Sequence, residues 1–154
     1  AQAAMMEGKN VTYLPSYGPE VRGGTANCTI AISDEEIASP VASAPEFVVA
    51  MNQPSLDMFQ NQIASGGLLF VNSSLAETEI ARGDVEIVEV AAGSIAKGLG
   101  SPKSANMVML GALTKKSNLV SISTLIEGLK DTLKNKAKLI AINKKALMAG
   151  YDLF

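Results

Sequence analysis

The 154-residue chain has no histidine, no tryptophan and a single cysteine, Cys28. Without histidine, the commonest general base and the commonest zinc ligand are both gone. One cysteine excludes an internal disulfide and falls short of the roughly four thiolates that hold an iron–sulfur cluster. It also fits a reducing compartment. Aromatic residues are 5% of the chain, too few for a platform on which bases stack. A formal net charge of -2 gives no reason to expect nucleic acid as a partner. No apolar run reaches the roughly 18 residues a membrane helix needs, and no signal-peptide layout is visible, so a soluble, cytoplasmic protein is expected. Neither GxxxxGK[ST] nor GxGxxG occurs. A chain so equipped leaves the hard steps of any enzyme reaction to partners or cofactors.

What is present is a globular pattern. Apolar residues make up 47%, and the length suits one domain spanning residues 1–154. AQAAMMEGKN is helix-forming up to Gly8, and VTYL after it reads as a strand. This first helix has no N-cap, which points to a strand and turn ahead of residue 1 that would complete a βαβ unit. A further strand is expected over 27–33, followed by the surface charges Asp34, Glu35 and Glu36. EFVVAM (46–51) and LLFVN (68–72) are continuous apolar runs, as in strands covered on both faces. Between them Asn52-Gln53-Pro54-Ser55 opens a helix through about Ala64, ended by Gly66-Gly67. VEIVEVA (85–91) alternates and reads as another strand. A buried helix is expected over about 103–115, with Asn106 as a satisfied buried amide. Ser121 caps the next helix, whose inner stripe is Leu125, Ile126, Leu129 and Leu133. Asn143 is read as the cap of a short last helix that Gly150 terminates. The fold class is α/β: three layers, α/β/α, around a mostly parallel sheet whose first strand lies ahead of the chain.

The densest candidate for function is SYGPEVRGGTANC (16–28). Gly23-Gly24 permits positive φ and close approach to a ligand or another chain, and such a turn can form an anion-binding nest. Arg22 adds a fork suited to carboxylate or phosphate, unless Glu20 pairs with it. If VTYL belongs to an open parallel sheet, this loop lies at its carboxyl rim, where ligands sit. Asn52-Gln53 and Asn72-Ser73-Ser74 end strands in the same way, so the three polar loops would share one rim. Asn52 and Gln53 read equally as a helix cap and its neighbour. Cys28, with no base to activate it, reads as a small buried hydrophobe. The methionines, Met5, Met6, Met107 and Met109 among them, read as core filler or interface.

The block SYGPEVRGGTANC, with AMNQPSLDMF, GGLLFVNSS, IAKGLGSPKSANMVMLGAL and NKKALMAGYD, resembles the gamma subunit of 2-oxoacid:ferredoxin oxidoreductases, in order over nearly the whole chain. The 2-oxoglutarate type is the most similar, with the pyruvate and 2-oxoisovalerate types close. That resemblance implies one subunit of an enzyme that oxidatively decarboxylates a 2-oxoacid to acyl-coenzyme A and passes electrons to ferredoxin. It implies alpha, beta and ferredoxin-like delta subunits as partners. Thiamine diphosphate, magnesium and [4Fe–4S] clusters would sit on those subunits, with coenzyme A as co-substrate. Family members begin with a strand and a GxGGQG turn, which this sequence lacks. Carried over, Tyr17, Gly18, Glu20, Arg22, Gly23, Gly24, Thr25 and Asn27, with Asn52 and Gln53, would shape the substrate or coenzyme A cavity or a subunit contact. No residue is given a catalytic role. Two other readings stand beside it: a free-standing module that binds a nucleotide or acyl-coenzyme A, and a purely structural interface subunit.

Overall fold

The computed structural model describes residues 1–19, 25–41, 43–77, 82–134 and 136–154, and their contacts divide the chain into two units, Ala1–Ser43 and Ala44–Phe154. In the first unit, helix α1 (Gln2–Met6) stops where Gly8 takes a left-handed φ of 79° and Lys9 N–H returns to the Ala4 carbonyl at 3.0 Å. Strands β1 (Asn10–Tyr17) and β2 (Ala26–Ser33) follow as an antiparallel pair, in register from Asn10 opposite Ser33 to Tyr17 opposite Ala26. They form their own two-stranded sheet. This corrects the placement of VTYL in the parallel sheet. The connection over 18–25 is too short for a parallel crossover, which takes a dozen or more residues, and long enough only for a hairpin. Cys28 pairs with Pro15 and is exposed rather than buried, lying on a ribbon face with Tyr13, Tyr17 and Ile30, which are exposed as well. Met5 and Met6 are also exposed.

The second unit holds three parallel strands, β3 (Phe47–Ala50), β4 (Leu68–Asn72) and β5 (Glu86–Val90), in spatial order β3-β4-β5. Phe47, Leu68 and Glu86 are level across the sheet, and Asn72 is level with Val90. The central strand β4 buries both faces, which is why LLFVN is continuously apolar, while Val49 of β3 and Glu86 and Glu89 of β5 are exposed. On one face Val48, Ala50, Leu69 and Val71 pack with Leu56 of helix α2 (Gln53–Phe59) and with Ile63. On the other, Phe70, Val88 and Val90 pack against helices α3 (Ala92–Gly98) and α4 (Ala105–Ser117). The expected α/β/α layering around parallel strands is therefore what forms. Burying Phe70 completely stabilises this unit by about 2–3 kcal/mol relative to leaving it in water.

Helix α5 (Ile122–Thr132) starts at Ser121, whose Oγ accepts from Thr124 N–H at 3.1 Å. Its stripe of Leu125, Ile126, Leu129 and Leu133 is half-buried. Helix α6 (Ala137–Tyr151) is longer than read, and its boundary residues change role. Asn143 lies inside it, accepting from Ser104 Oγ at 3.3 Å, because the run from Ala137 is strongly helix-forming. Gly150 continues the helix instead of ending it. A Cβ there would meet the Val108 carbonyl, and one on Gly111 the Leu147 carbonyl, so these glycines set how closely α4 and α6 cross. Asn106 is exposed, since the buried side of α4 runs through Val108, Met109 and Ala112. Helix α2 stops at Phe59 rather than Ala64, and the turn after it is tied by Arg82, whose guanidinium donates to the carbonyls of Ile63 at 2.8 Å and Gln60 at 3.4 Å. Helix α3 has no counterpart in the sequence reading. Among the described residues no helix is long and apolar enough to cross a membrane.

Candidate functional site

Parallel strands put their carboxyl ends on one edge, and there three short connections meet. They are Met51-Asn52 after β3, Ser73 to Glu77 after β4, and Ala91 leading into α3 after β5. The link between them is Asn72, an amide with no exposed surface. Its Nδ2 donates to the Met51 carbonyl at 3.1 Å, while its Oδ1 accepts from the backbone N–H of Ser74 and of Gly93, each at 3.3 Å. One side chain thus ties the ends of all three strands. Ser74 adds a second tie: its Oγ accepts from Ser94 N–H at 3.1 Å and lies 3.3 Å from Ser94 Oγ. Gly93 makes the approach possible, because a Cβ there would come within 3.0 Å of Ser74 Cβ.

The predicted residues of this rim have structural partners. Asn52 caps α2, its Oδ1 accepting from Ser55 N–H at 3.0 Å. Gln53 accepts from Glu77 N–H at 2.8 Å and donates to Asp57 Oδ1 at 2.8 Å, so it braces the β4 connection against α2. Gln53, Ser73, Ser74, Leu75, Ala76 and Glu77 line an open depression of about 550 Å³. Among the described residues of that lining, the one charged side chain is Glu77. Among the described residues, no group of three or more His, Cys, Asp or Glu could hold a metal ion. Sequence reasoning missed Gly93 and Ser94; the small residues AAGS directly after a strand were the available signal.

At the end of the hairpin, in the other unit, Tyr17 is 74% exposed. Gly18 N–H donates to the Thr25 carbonyl at 2.7 Å and extends the ladder by one pair. A Cβ on Gly18 would meet Thr25 Oγ1 at 2.9 Å, so the bare backbone suits the closing pair. Thr25 is exposed and Asn27 half-buried. Burial pushes the Tyr13 phenol above its ordinary value, and Tyr17 and Cys28 beside it push the same way. Glu20, Arg22, Gly23 and Gly24 lie outside the described residues.

Residues 1–153 match the protein family described as pyruvate ferredoxin/flavodoxin oxidoreductase. The chain is 39% identical over 154 residues to ketoisovalerate oxidoreductase subunit VorA of Methanothermobacter thermautotrophicus, covering 99% of itself and 32% of that protein. It is 33% identical over 153 residues to 2-oxoglutarate synthase subunit KorC of Methanocaldococcus jannaschii, covering 98% of itself and 81% of that protein. The chain thus spans about a third of the length of one relative and about four fifths of the other. Its structure is similar to that of a keto/oxoacid ferredoxin oxidoreductase gamma subunit from Geobacter sulfurreducens, with a TM-score of 0.81, 26% identity, and coverage of 99% of this chain and 85% of that one.

Proposed function

The chain belongs to the pyruvate ferredoxin/flavodoxin oxidoreductase family, and we propose that it serves as the gamma-type subunit of a 2-oxoacid:ferredoxin oxidoreductase. The observation that carries this reading is the match over residues 1–153, supported by relatives named as subunits of such enzymes. The assembled enzyme would convert a 2-oxoacid and coenzyme A to acyl-coenzyme A and carbon dioxide, passing electrons to ferredoxin. The substrate we propose is 2-oxoglutarate, from the form of the SYGPEVRGGTANC block. Because the 39%-identical relative is named for ketoisovalerate, both acids belong in the test.

Thiamine diphosphate, magnesium and [4Fe–4S] clusters belong, in this reading, to the partner subunits. The single thiol of this chain does not fit a [4Fe–4S] cluster, which takes about four thiolates. What its own residues do is shape and hold. Asn72, Gln53 and Ser74 fix the three rim connections, and the hairpin end presents Tyr17. We assign Arg22 to a carboxylate or a coenzyme A phosphate, which its planar fork suits. Glu77, in the depression's lining, opposes an anion there, which weighs against a free-standing anion-binding module.

The test is co-expression with the companion subunits, followed by coenzyme A-dependent viologen reduction with 2-oxoglutarate and with ketoisovalerate. A stable complex that turns over 2-oxoglutarate faster, and loses about tenfold or more of kcat/KM in Arg22→Ala, is the expected result. Micromolar binding of acyl-coenzyme A by the chain alone, with no complex formed, overturns it. If Arg22→Ala weakens assembly and leaves the turnover of assembled enzyme intact, the loop is an interface only.

A further inference from the structure

The β1–β2 hairpin carries its polarity the wrong way round. Side chains alternate along a strand, so the odd positions of β1 from Val11 to Tyr17 share a face with the even positions of β2 from Ala26 to Ile32. Every residue on that face is apolar, aromatic or the thiol of Cys28. The opposite face carries Asn10, Thr12, Leu14 and Ser16 across from Ser33, Ala31, Thr29 and Asn27, so it is mostly polar. A sheet with one covered face normally buries its apolar side and leaves the polar side in water. Here Tyr13 is 56% exposed, Tyr17 74% and Ile30 42%, with Pro15 and Cys28 exposed beside them. On the opposite face Thr12, Asn27, Thr29, Ala31 and Ser33 are half-buried and Asn10, Leu14 and Ser16 exposed, whereas on the apolar face Val11 and Ile32 alone are half-buried. A two-stranded ribbon is marginal by itself, and a contiguous exposed apolar patch marks an interaction surface.

We propose that this face docks on a companion polypeptide of the same enzyme, one that presents an uncharged apolar surface; such a partner exists only if the chain is the subunit inferred above. Three observations select that occupant. The face holds no acid or base, so a charged partner surface would lose its water without gaining a counter-charge. Its size argues against a second copy of this chain. From strand rise and spacing the ribbon face is about 26 Å long and about 10 Å wide. That is roughly a third of the ~800 Å² per partner that a standard stable interface buries. A patch of this size works as one part of a wider contact. Finally, in the 39%-identical relative the matched stretch is 32% of the polypeptide, so a domain of this kind exists beside other segments of its own chain.

Cys28 reports on the face without any mutation, being the sole cysteine of the chain and exposed. The chain alone and the complex purified with its companion subunits are treated with iodoacetamide, and the alkylated Cys28 peptide is followed by mass spectrometry. Cys28 in the chain alone is expected to react as a free thiol, and in the complex at least about tenfold more slowly. Tyr17→Asp and Ile30→Asp should each weaken assembly by about tenfold or more, the size expected for losing one interface anchor, while the Tm of the chain alone stays unchanged. Equal labelling in chain and complex overturns the docking face. So does slow labelling in the chain alone, which would mean that the ribbon packs on its own chain. A concentration-dependent dimer of the chain alone, abolished by Tyr17→Asp, would assign the face to a second copy and also overturn it. If the wild-type chain forms no complex, the subunit reading itself fails; if a complex forms with Cys28 unprotected, only the docking face fails.

Discussion

Replacing Asn72 with leucine keeps the number and branching of the side-chain heavy atoms, at a larger volume, and removes every polar atom from the side chain that links the three strand ends. Three hydrogen bonds go: from Nδ2 to the Met51 carbonyl, and from the N–H groups of Ser74 and Gly93 to Oδ1. A typical bond of this kind contributes about 1 kcal/mol net, and each partner left buried and unpaired adds a penalty of about 1–3 kcal/mol. Ser74 lines an open depression, so water can reach part of what it loses; the Met51 carbonyl is the group most exposed to the full penalty. Asn72→Leu is therefore expected to cost about 3–5 kcal/mol, read as a lower urea midpoint at unchanged m-value. Asn72→Asp supplies the sign test. An aspartate keeps the acceptor for Ser74 and Gly93 but sets a carboxylate oxygen against the Met51 carbonyl in a buried position. Burial raises its folded pKa above the unfolded value of about 4, so its stability is kept below that value and lost as pH rises through the raised one. Asn72→Asp should approach wild type in acid and fall behind it at neutral pH. A loss under about 1 kcal/mol for Asn72→Leu, or no pH dependence for Asn72→Asp relative to wild type, would refute the cross-link.

In an exposed helix Gly→Ala gains about 0.5–1 kcal/mol; Gly111→Ala and Gly150→Ala should instead each lose about 2 kcal/mol or more, since each Cβ meets a backbone carbonyl of the facing helix, and thermal unfolding reads the sign directly. The Asp84 carboxyl is held at about 2 against an ordinary 3.8, chiefly by its hydrogen bond from Arg82. Its contribution is present above the ordinary value and disappears as pH falls toward about 2. A carboxyl NMR titration should show that low midpoint, and Arg82→Ala should return it to the ordinary range. Gly100→Ala forces a side chain into a left-handed φ of 76° and should cost about 1–2 kcal/mol in denaturant unfolding.

The parallel sheet was legible because strands covered on both faces must be apolar at every position, and LLFVN and FVVA leave no polar face to put outside. The Ser121 cap was legible because an ordinary hydroxyl sits just ahead of a helical stripe. Helix α3 was not. Ala92–Gly98 is short and made mostly of small residues, so no hydrophobic period marks it, and its place comes from packing Ala92 and Ala96 under α4. The hairpin was misplaced because an apolar strand after a helix fits a βαβ unit as well as a ribbon; only the length of the 18–25 connection separates the two. Within the site, Asn72 was visible as the single polar residue ending an apolar run. Its side chain's inward turn was not, because Met51 and Gly93, the groups it bonds, are distant in sequence and adjacent only through the strand register.

These differences move the functional weight from one part of the chain to another. An anion-binding rim needs donors free to turn toward a ligand, yet Gln53, Asn72 and Ser74 already hold backbone atoms of neighbouring connections, and Glu77 adds negative charge. A ligand that recruited Gln53 would have to free the Glu77 N–H and Asp57 at the same time. Such a rim resists deformation. The hairpin is the reverse: most of its apolar face is exposed, and Gly18 N–H donating to the Thr25 carbonyl extends the ladder beyond β1. Surface left unsatisfied in this way is stabilised by contact with another molecule. Rigidity at the sheet edge and unmet apolar area on the ribbon are what the proposed docking on a companion subunit requires.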